Sequence, residues 1–348
     1  MVLALLASAG IGSFATLLYT QYASTPAAAG AAAPVAAAPE AFLPGLVDLP
    51  KVVQHVQVHV RAVRRSHDPK PKAPSRATVS LYERTLAGRT LHDQGCRAAQ
   101  RGATGVVILD FGKPAYNGHT YGTILFSGAF AGNKAITTAM LTYARGYARC
   151  LPKGSTDHIS LARGTSNYHP SVPNVYKAGR KWAREVMNLQ RSLRTANIDS
   201  RVTAAAADDV EPAWDPHFRL THDFYRGYAD SRVGHALYNY GSLDGGIVSG
   251  IWNAHQAFYV TGGMRYARPI PEIYNKAMAQ EWAALAQVAK KRYHRPLQFA
   301  GVMTERTSRN HGVKPPDARR MLVRQLALQG RGDAPARVPA SATNITSY

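Results

Sequence analysis

Three carboxylic acids follow an apolar run near the middle of the chain. Residues 202–207 are small or apolar, and Asp208, Asp209 and Glu211 come after them. Such a run is typical of a buried strand of a parallel sheet that reaches the surface at its carboxyl end. Because side chains alternate along a strand, Asp209 and Glu211 are predicted to share one face, and Asp208 to lie on the other. Two acids on one face of a strand end are candidates for general acid and base catalysis.

Other polar and aromatic residues also follow predicted strands. Asp110 comes directly after the apolar residues 106–109, and we predict that it joins Asp209 and Glu211 as a catalytic group. Carboxylates can protonate a glycosidic oxygen and aromatic rings can stack on sugar rings, so this pattern favours a sugar as the substrate. The residues predicted to contact that substrate are Asp208, Trp214, Asn167, Asn239, Tyr240, Asp244, Tyr259 and Glu305.

The elements that must position these residues alternate between strands and helices. From residue 80 onward about six strand-then-helix units can be counted, which implies a parallel sheet with helices outside. We predict an α/β fold, a (β/α)8 TIM-like barrel, with its active site at the carboxyl ends of the strands. The missing strands are expected before Ser80 or within Thr120–Phe126. An open doubly wound sheet is the alternative, but its Gly-x-Gly-x-x-Gly turn is absent from the sequence.

Several local assignments complete this scheme. The pattern predicts a helix over Leu81–Arg101 and a short strand over Ala257–Val260. It also predicts a long helix whose first turn contains Pro271 and Glu272, because proline is favoured at the first helical position.

The chain divides into four predicted segments. Residues 1–23 are expected to be a signal peptide or a membrane anchor, because Val2–Tyr19 is mostly apolar and carries no charge. An Ala/Pro-rich linker and a basic irregular segment fill residues 24–79, the barrel fills 80–330, and a flexible tail fills 331–348. Both interpretations of the N-terminus predict export, either as a secreted protein or as one associated with the cell envelope.

Lysine and arginine greatly outnumber the acids. The chain has 42 Lys and Arg against 21 Asp and Glu, a formal charge of +21, which favours an anionic cell-wall polymer or an anionic membrane face as a partner. No signature of a nucleic-acid-binding domain accompanies the charge, so specific nucleic-acid binding is not predicted.

His55 and His59 lack the intervening glutamate of a His-Glu-x-x-His site, and no metal or cofactor is predicted. Cys96 and Cys150 form either one disulfide or two buried thiols.

The strand ends resemble those of known proteins. Asp209 and Glu211, together with Asp110 at the end of an early strand, are similar to the acids of the family 25 glycoside hydrolases, (β/α)-barrel lysozymes that act on bacterial cell wall. A more specific likeness, to exported actinobacterial glycoside-hydrolase-like barrel proteins of unknown function, covers roughly residues 106–304. It rests on residues 110–112, 164–167, 208–212 and 240–242.

This resemblance implies a glycosidase that acts on a cell-wall or extracellular polysaccharide. Glu211 would be the general acid, with a pKa raised by burial and by Asp209. Asp209 would be either the base that activates water or, as in chitinase-like barrels, the residue that orients an N-acetyl group. Asp110 would hold a sugar hydroxyl or the acid pair.

Two alternatives remain open on the sequence alone. The acids can instead pair with the many arginines and cap the following helix. The protein can also be a non-catalytic envelope or glycan-binding protein on a degenerate glycosidase barrel, which does not need a buried acid at Glu211.

Overall fold

Strands and helices alternate along most of the chain. The structure, a computed structural model, describes residues 78–247, 250–306, 312–330, 337–340 and 342–347. The predicted segment 1–23 and all but the last two residues of the predicted segment 24–79 lie outside these residues. The strands are β1 (Thr78–Tyr82), β2 (Gly105–Asp110), β3 (Gly112–Tyr116), β4 (Tyr121–Leu125), β5 (Phe130–Gly132), β6 (Ile159–Gly164), β7 (Val202–Asp208), β8 (Leu237–Asn239), β9 (Ala267–Pro269), β10 (Val302–Glu305) and β11 (Ala342–Ser347). The helices are α1 (Gly88–Gln100), α2 (Asn133–Cys150), α3 (Val175–Thr195), α4 (Arg219–Asp230), α5 (Ala254–Phe258), α6 (Lys276–Tyr293) and α7 (Pro315–Gly330).

A single parallel sheet of eight strands organises the fold, in the order β10-β11-β1-β2-β6-β7-β8-β9. The sheet is curled and flanked by helices, so the predicted α/β class is confirmed and the architecture is compatible with a TIM-like fold. The ladder is not closed between its edge strands β9 and β10. An isolated bridge between Glu272 and Met303 links these edges, and the Ile273 N–H donates to the Met303 carbonyl at 2.9 Å.

Both faces of the sheet are buried, which explains why its central strands are almost wholly apolar. On one face, Leu109 and Ala206 belong to a core cluster that includes residues of α1–α4. On the other face, Ile108 and Ala207 belong to a cluster made almost entirely of strand residues, the concave side of the curl. Because side chains alternate along a strand, the next residues on this face are Asp110 at the end of β2 and Asp209 directly after β7. Both therefore face the concave side at the carboxyl edge of the sheet.

Two strands of the sheet were wrongly assigned by the sequence pattern. Leu81 lies in β1, and the helix predicted over Leu81–Arg101 begins only at Gly88. The prediction of a flexible tail over 331–348 is wrong for Ala342–Ser347, which form β11 between β10 and β1. Residues within Thr120–Phe126 do form a strand, β4, but it belongs to a separate antiparallel sheet of β3, β4 and β5.

The region before α6 also differs from the prediction. Ala257–Val260 is not a strand, because Asn253 caps α5 in a reciprocal box with Gln256, and a π-helical turn (Tyr259–Gly263) follows. The helix predicted to begin at Pro271 and Glu272 begins at Lys276, where the Asn275 side chain accepts a hydrogen bond from the Met278 N–H. Glu272 consequently remains in extended chain beside β10.

A disulfide joins Cys96 of α1 to Cys150 of α2 and resolves the alternative left open by the sequence. The two helices pack closely, which glycine at positions 95 and 146 permits. A Cβ on Gly95 would clash with the Tyr143 carbonyl, and a Cβ on Gly146 would clash with the His92 carbonyl. None of the helices α1–α7 combines the length and apolar character that a bilayer crossing requires.

Removing this cross-link is expected to destabilise the fold. A Cys96→Ser/Cys150→Ser variant should lose about 2–4 kcal/mol of unfolding free energy, because the disulfide restricts the unfolded chain. Urea unfolding of the variant, and of the wild-type protein with and without reductant, measures the difference. Identical unfolding of wild-type protein in both redox states would contradict the assignment.

Candidate active site

Four buried carboxyl groups meet at the carboxyl edge of the curled sheet. Asp110 ends β2, Asp209 follows β7 directly, Glu211 lies two residues farther on, and Glu272 follows β9. Only 6% of Asp209 and 8% of Glu211 is exposed to solvent. Glu305, at the end of β10, is less buried but close enough to raise the pKa of Glu272. The structure thus brings together the three predicted catalytic acids and three of the predicted substrate contacts, which are Glu305, Tyr240 and Asp244.

Burial keeps these acids protonated. It raises the pKa of Glu211 to about 9, with the charges of Glu272 and Asp244 adding to the effect. The pKa of Asp209 is raised well above its ordinary value by burial and then by Glu272, Glu211 and Asp110. Burial also raises the pKa of Glu272 to about 8, although a hydrogen bond from its neighbouring tyrosine opposes the shift.

No described lysine or arginine neutralises the cluster. The ion pairs among described residues involve other acids, and the charges that shift the pKa of Asp209 and Glu211 all come from carboxylates. The alternative in which Asp209 and Glu211 pair with arginines is therefore wrong for the described residues.

Tyrosines distinguish the four acids from one another. The Tyr240 hydroxyl donates to Asp110, which also accepts the Gly112 N–H at 2.7 Å. The Tyr274 hydroxyl donates to Glu272 at 2.6 Å. These bonds oppose the rise in the pKa of each carboxyl, which for Asp110 reaches about 7 through burial.

Asp209 and Glu211 have no such donors among the residues that the structure describes. Asp209 Oδ1 is buried without a hydrogen-bond partner. The Glu211 carboxyl makes no hydrogen bond to a described residue. These two acids are consequently the ones free to exchange protons with a bound molecule.

The backbone of Glu211 is held by a side chain of the neighbouring strand end. Asn167 Oδ1 accepts the Glu211 N–H at 3.0 Å, and Asn167 Nδ2 donates to the Glu211 carbonyl at 3.0 Å. The same Nδ2 donates to Thr221 Oγ1 at 3.1 Å, and Thr221 in turn donates to Asp215 at 2.9 Å. Asn167 is predicted from the sequence to contact substrate. In the structure its buried amide instead bonds the Glu211 peptide and Thr221, and so positions Glu211.

Trp214 and Asp244, which were predicted to contact substrate, lie in or beside the turn that follows Glu211. Trp214 lies in the 3₁₀ turn after Glu211 and packs edge to face on Tyr168, with ring centroids 5.5 Å apart. Asp244 accepts the Ala213 N–H at 2.8 Å and so joins the loop after β8 to that turn.

Other predicted contacts do not reach the concave side. Asn239 accepts the Gly241 N–H at 3.2 Å and is fully buried. Asp208 faces a small cavity on the helical side, lined among others by Ser166 and Thr221, as alternation requires. Tyr259 packs on Phe218 and His222 instead of standing at a strand end.

Sequence reasoning missed Glu272 and the tyrosines around it. Tyr82 at the end of β1 is close enough to Asp209 and Glu272 for their charges to raise its pKa, and Tyr274 bonds Glu272 directly. The signal that was available is Asn275, a favoured N-cap residue, which starts the helix later and leaves Glu272 at a strand end.

Metal binding has no support in the described part of the chain, where no group of three or more His, Cys, Asp or Glu side chains is placed to hold an ion. No protein-family model matches this chain, and no curated protein matches it.

Loss of the Asn167 amide should loosen the site. An Asn167→Ala variant leaves the buried Glu211 N–H without its acceptor, so we expect a loss of about 1–3 kcal/mol in unfolding free energy. Chemical denaturation measures it, with Asn188→Ala as a matched control, because that partly buried amide bonds only the Glu185 side chain. Equal losses in the two variants would refute the special role of Asn167.

The stability of the protein should depend on the proton of Glu211. Its folded pKa is about 9 against an ordinary 4.5, so above pH 4.5 the unfolded carboxyl ionises while the folded one keeps its proton. Wild-type protein should therefore lose stability relative to Glu211→Gln as the pH rises from about 4.5 to about 9. Thermal melts across this range test the prediction, with Asp93→Asn on α1 as a surface control. A stability gap that stays constant with pH would count against it.

Proposed function

We propose that this protein is a glycoside hydrolase that uses carboxylate acid and base chemistry. The observation that carries the proposal is Glu211: a buried carboxyl with a pKa of about 9, no described cation beside it, and Asp209, whose pKa is also raised, as its neighbour. A neutral carboxylic acid at neutral pH is what protonation of a glycosidic oxygen requires. Its burial also counts against the non-catalytic alternative, which does not need such an acid.

The architecture supports the same proposal. The strands occur around the sheet in chain order, apart from the break between β9 and β10, as in a (β/α)8 barrel. We infer that the bridge from Glu272 to Met303 stands where the eighth strand interface of such a barrel would lie. The acids then occupy the carboxyl end of the barrel, the end that carries the chemistry in that fold.

In the proposed reaction Glu211 donates its proton to the oxygen of the bond that breaks. Asp209, after it has lost its own proton to solvent, acts on the opposite side of the sugar, either as the carboxylate base that takes a proton from water or as the group that orients an N-acetyl substituent. Glu272 and Asp110 are each bonded to a tyrosine. When ionised, Glu272 raises the pKa of both Asp209 and Glu211, and Asp110 raises the pKa of Asp209.

The substrate that fits this site is a polysaccharide. Trp214 and Tyr168 provide aromatic surface close to Glu211, and rings of this kind stack on sugars. The apolar N-terminal stretch and the positive charge favour a cell-wall or extracellular polymer over an intracellular one.

Reducing-sugar release is the direct test. Full-length protein incubated with peptidoglycan, chitin and neutral polysaccharides should release sugar ends, and Glu211→Gln should lower kcat by about 10²–10⁴ without unfolding the protein. Asp223→Asn, on the exposed face of α4, is the control for loss of a carboxylate elsewhere.

Each outcome of this test has a definite meaning. Release by wild-type protein but not by Glu211→Gln supports both the activity and the acid, and the anomer of the first product separates the two roles of Asp209. Binding without release, in wild-type protein, would replace the enzyme with the glycan-binding alternative. Unchanged release by Glu211→Gln would remove Glu211 from the mechanism.

A further inference from the structure

One face of α3 carries a row of cations. Lys177, Arg180, Arg184 and Arg191 are exposed, and their spacing places them in one stripe along the helix. Between Lys177 and Arg191 the stripe extends over about 21 Å, given the rise of an α-helix. The opposite face of α3 is buried against the sheet and α4, so the stripe points away from the core.

The neighbouring helix adds a second row. Lys134, Arg145 and Arg149 are exposed on α2, whose sequence contains no acidic residue. The two helices are adjacent, since Thr137 of α2 donates a hydrogen bond to Glu185 of α3 at 2.9 Å. We call these seven cations, Lys134, Arg145, Arg149, Lys177, Arg180, Arg184 and Arg191, the α2–α3 basic face.

No acid in the described ranges forms an ion pair with this face. Glu185, the one acid in α3, is turned toward α2 and is bonded to Thr137 and Asn188. Arg180, Arg184 and Arg191 make no ion pair with any acid in the described part of the chain. Like charges left unpaired in two adjacent rows repel one another and so lower the stability of the fold. A bound anion would reduce this repulsion.

We infer that the α2–α3 basic face binds a linear polymer of phosphate groups. Arginine guanidinium groups match phosphate oxygens with two parallel hydrogen bonds, and the central stripe is rich in arginine. A row of about 21 Å also fits an extended chain with several regularly spaced anions better than a single small anion.

Two other classes of polyanion fit this face less well. Interfacial binding to a bilayer requires apolar side chains that enter it. The large hydrophobic residues exposed in the described regions are Ile251 and Leu328, and neither lies on α2 or α3. Single-stranded nucleic acid is held by exposed aromatic rings between the cations. The rings beside the α2–α3 basic face are already engaged within the protein: Tyr121 is buried under Lys177, and the Tyr176 hydroxyl donates to Asp230.

This site does not depend on the proposed glycosidase. The basic face lies on the helical layer outside the sheet, whereas the acid cluster is on the concave side at the strand ends. Binding to it therefore needs no catalysis, and either property can fail without the other.

The test uses full-length protein and inorganic polyphosphate as the probe. Binding should weaken with salt, with a slope of log K against log salt of about −3 for about four contacted phosphates. An Arg180→Glu/Arg184→Glu/Arg191→Glu variant should bind at least about tenfold more weakly and with a shallower slope. The matched control is Lys291→Glu/Arg292→Glu/Arg324→Glu, which changes the net charge equally at exposed positions of α6 and α7.

Fluorescence anisotropy with labelled polyphosphate gives the affinities, and circular dichroism checks that each variant is folded. Loss of binding in the α3 variant alone supports the assignment. Equal losses in both variants would show that only net charge matters and would overturn it, as would no binding by wild-type protein. Tighter binding to duplex DNA, or to phosphatidylcholine vesicles containing phosphatidylglycerol, at matched anion concentration would overturn the choice of partner.

Discussion

The burial of several carboxyl groups without a cation is the constraint on which the rest of the site depends. Removing an ionised carboxylate from water is so costly that a buried acid either finds a cation or keeps its proton. Asp209, Glu211 and Glu272 take the second course, since each has a pKa raised chiefly by burial, and burial raises the pKa of Asp110 to about 7. Protonated acids can donate as well as accept hydrogen bonds, which changes what the site can do. The arrangement costs stability, and shifted pKa values of this kind are common at functional sites.

Maintaining this arrangement requires strand ends that approach closely and cannot shift. Gly164 is one reason, because a Cβ there would lie 2.8 Å from the Asp110 Cα, and Gly241 leaves similar room beside the Val210 backbone. The Asn167 amide then fixes both polar groups of the Glu211 peptide. Rigid supports of this kind matter because a proton donor is effective only when its position is already correct before the substrate arrives.

The sequence predicted the parts of the fold that depend on apolar periodicity. The central strands β2 and β7 are nearly continuous runs of apolar or small residues, so the parallel sheet, its polar edge and the places of Asp110, Asp209 and Glu211 could all be inferred. Strand β11 could not, because Ala342–Ser347 is mostly polar and its Thr343 hydroxyl is satisfied by Thr78 inside the sheet. Glu272 was missed for a related reason. A proline before an acid is a typical helix start, and only tertiary pairing with β10 keeps that segment extended.

The buried acid cluster and the α2–α3 basic face lie apart in this protein, and their separation has an electrostatic consequence. Neutral carboxyl groups on the concave side do not repel an anionic polymer, while the excess of cations elsewhere produces a positive potential around the molecule. Cations placed inside the acid cluster would ionise Asp209 and Glu211 and so abolish the proton donor. Cations placed on the outer helices attract a polyanion without changing those protons, because exposed charges are screened within about 8 Å at physiological salt. The outer position of the arginines is thus compatible with both binding of an anionic polymer and acid catalysis in one small domain.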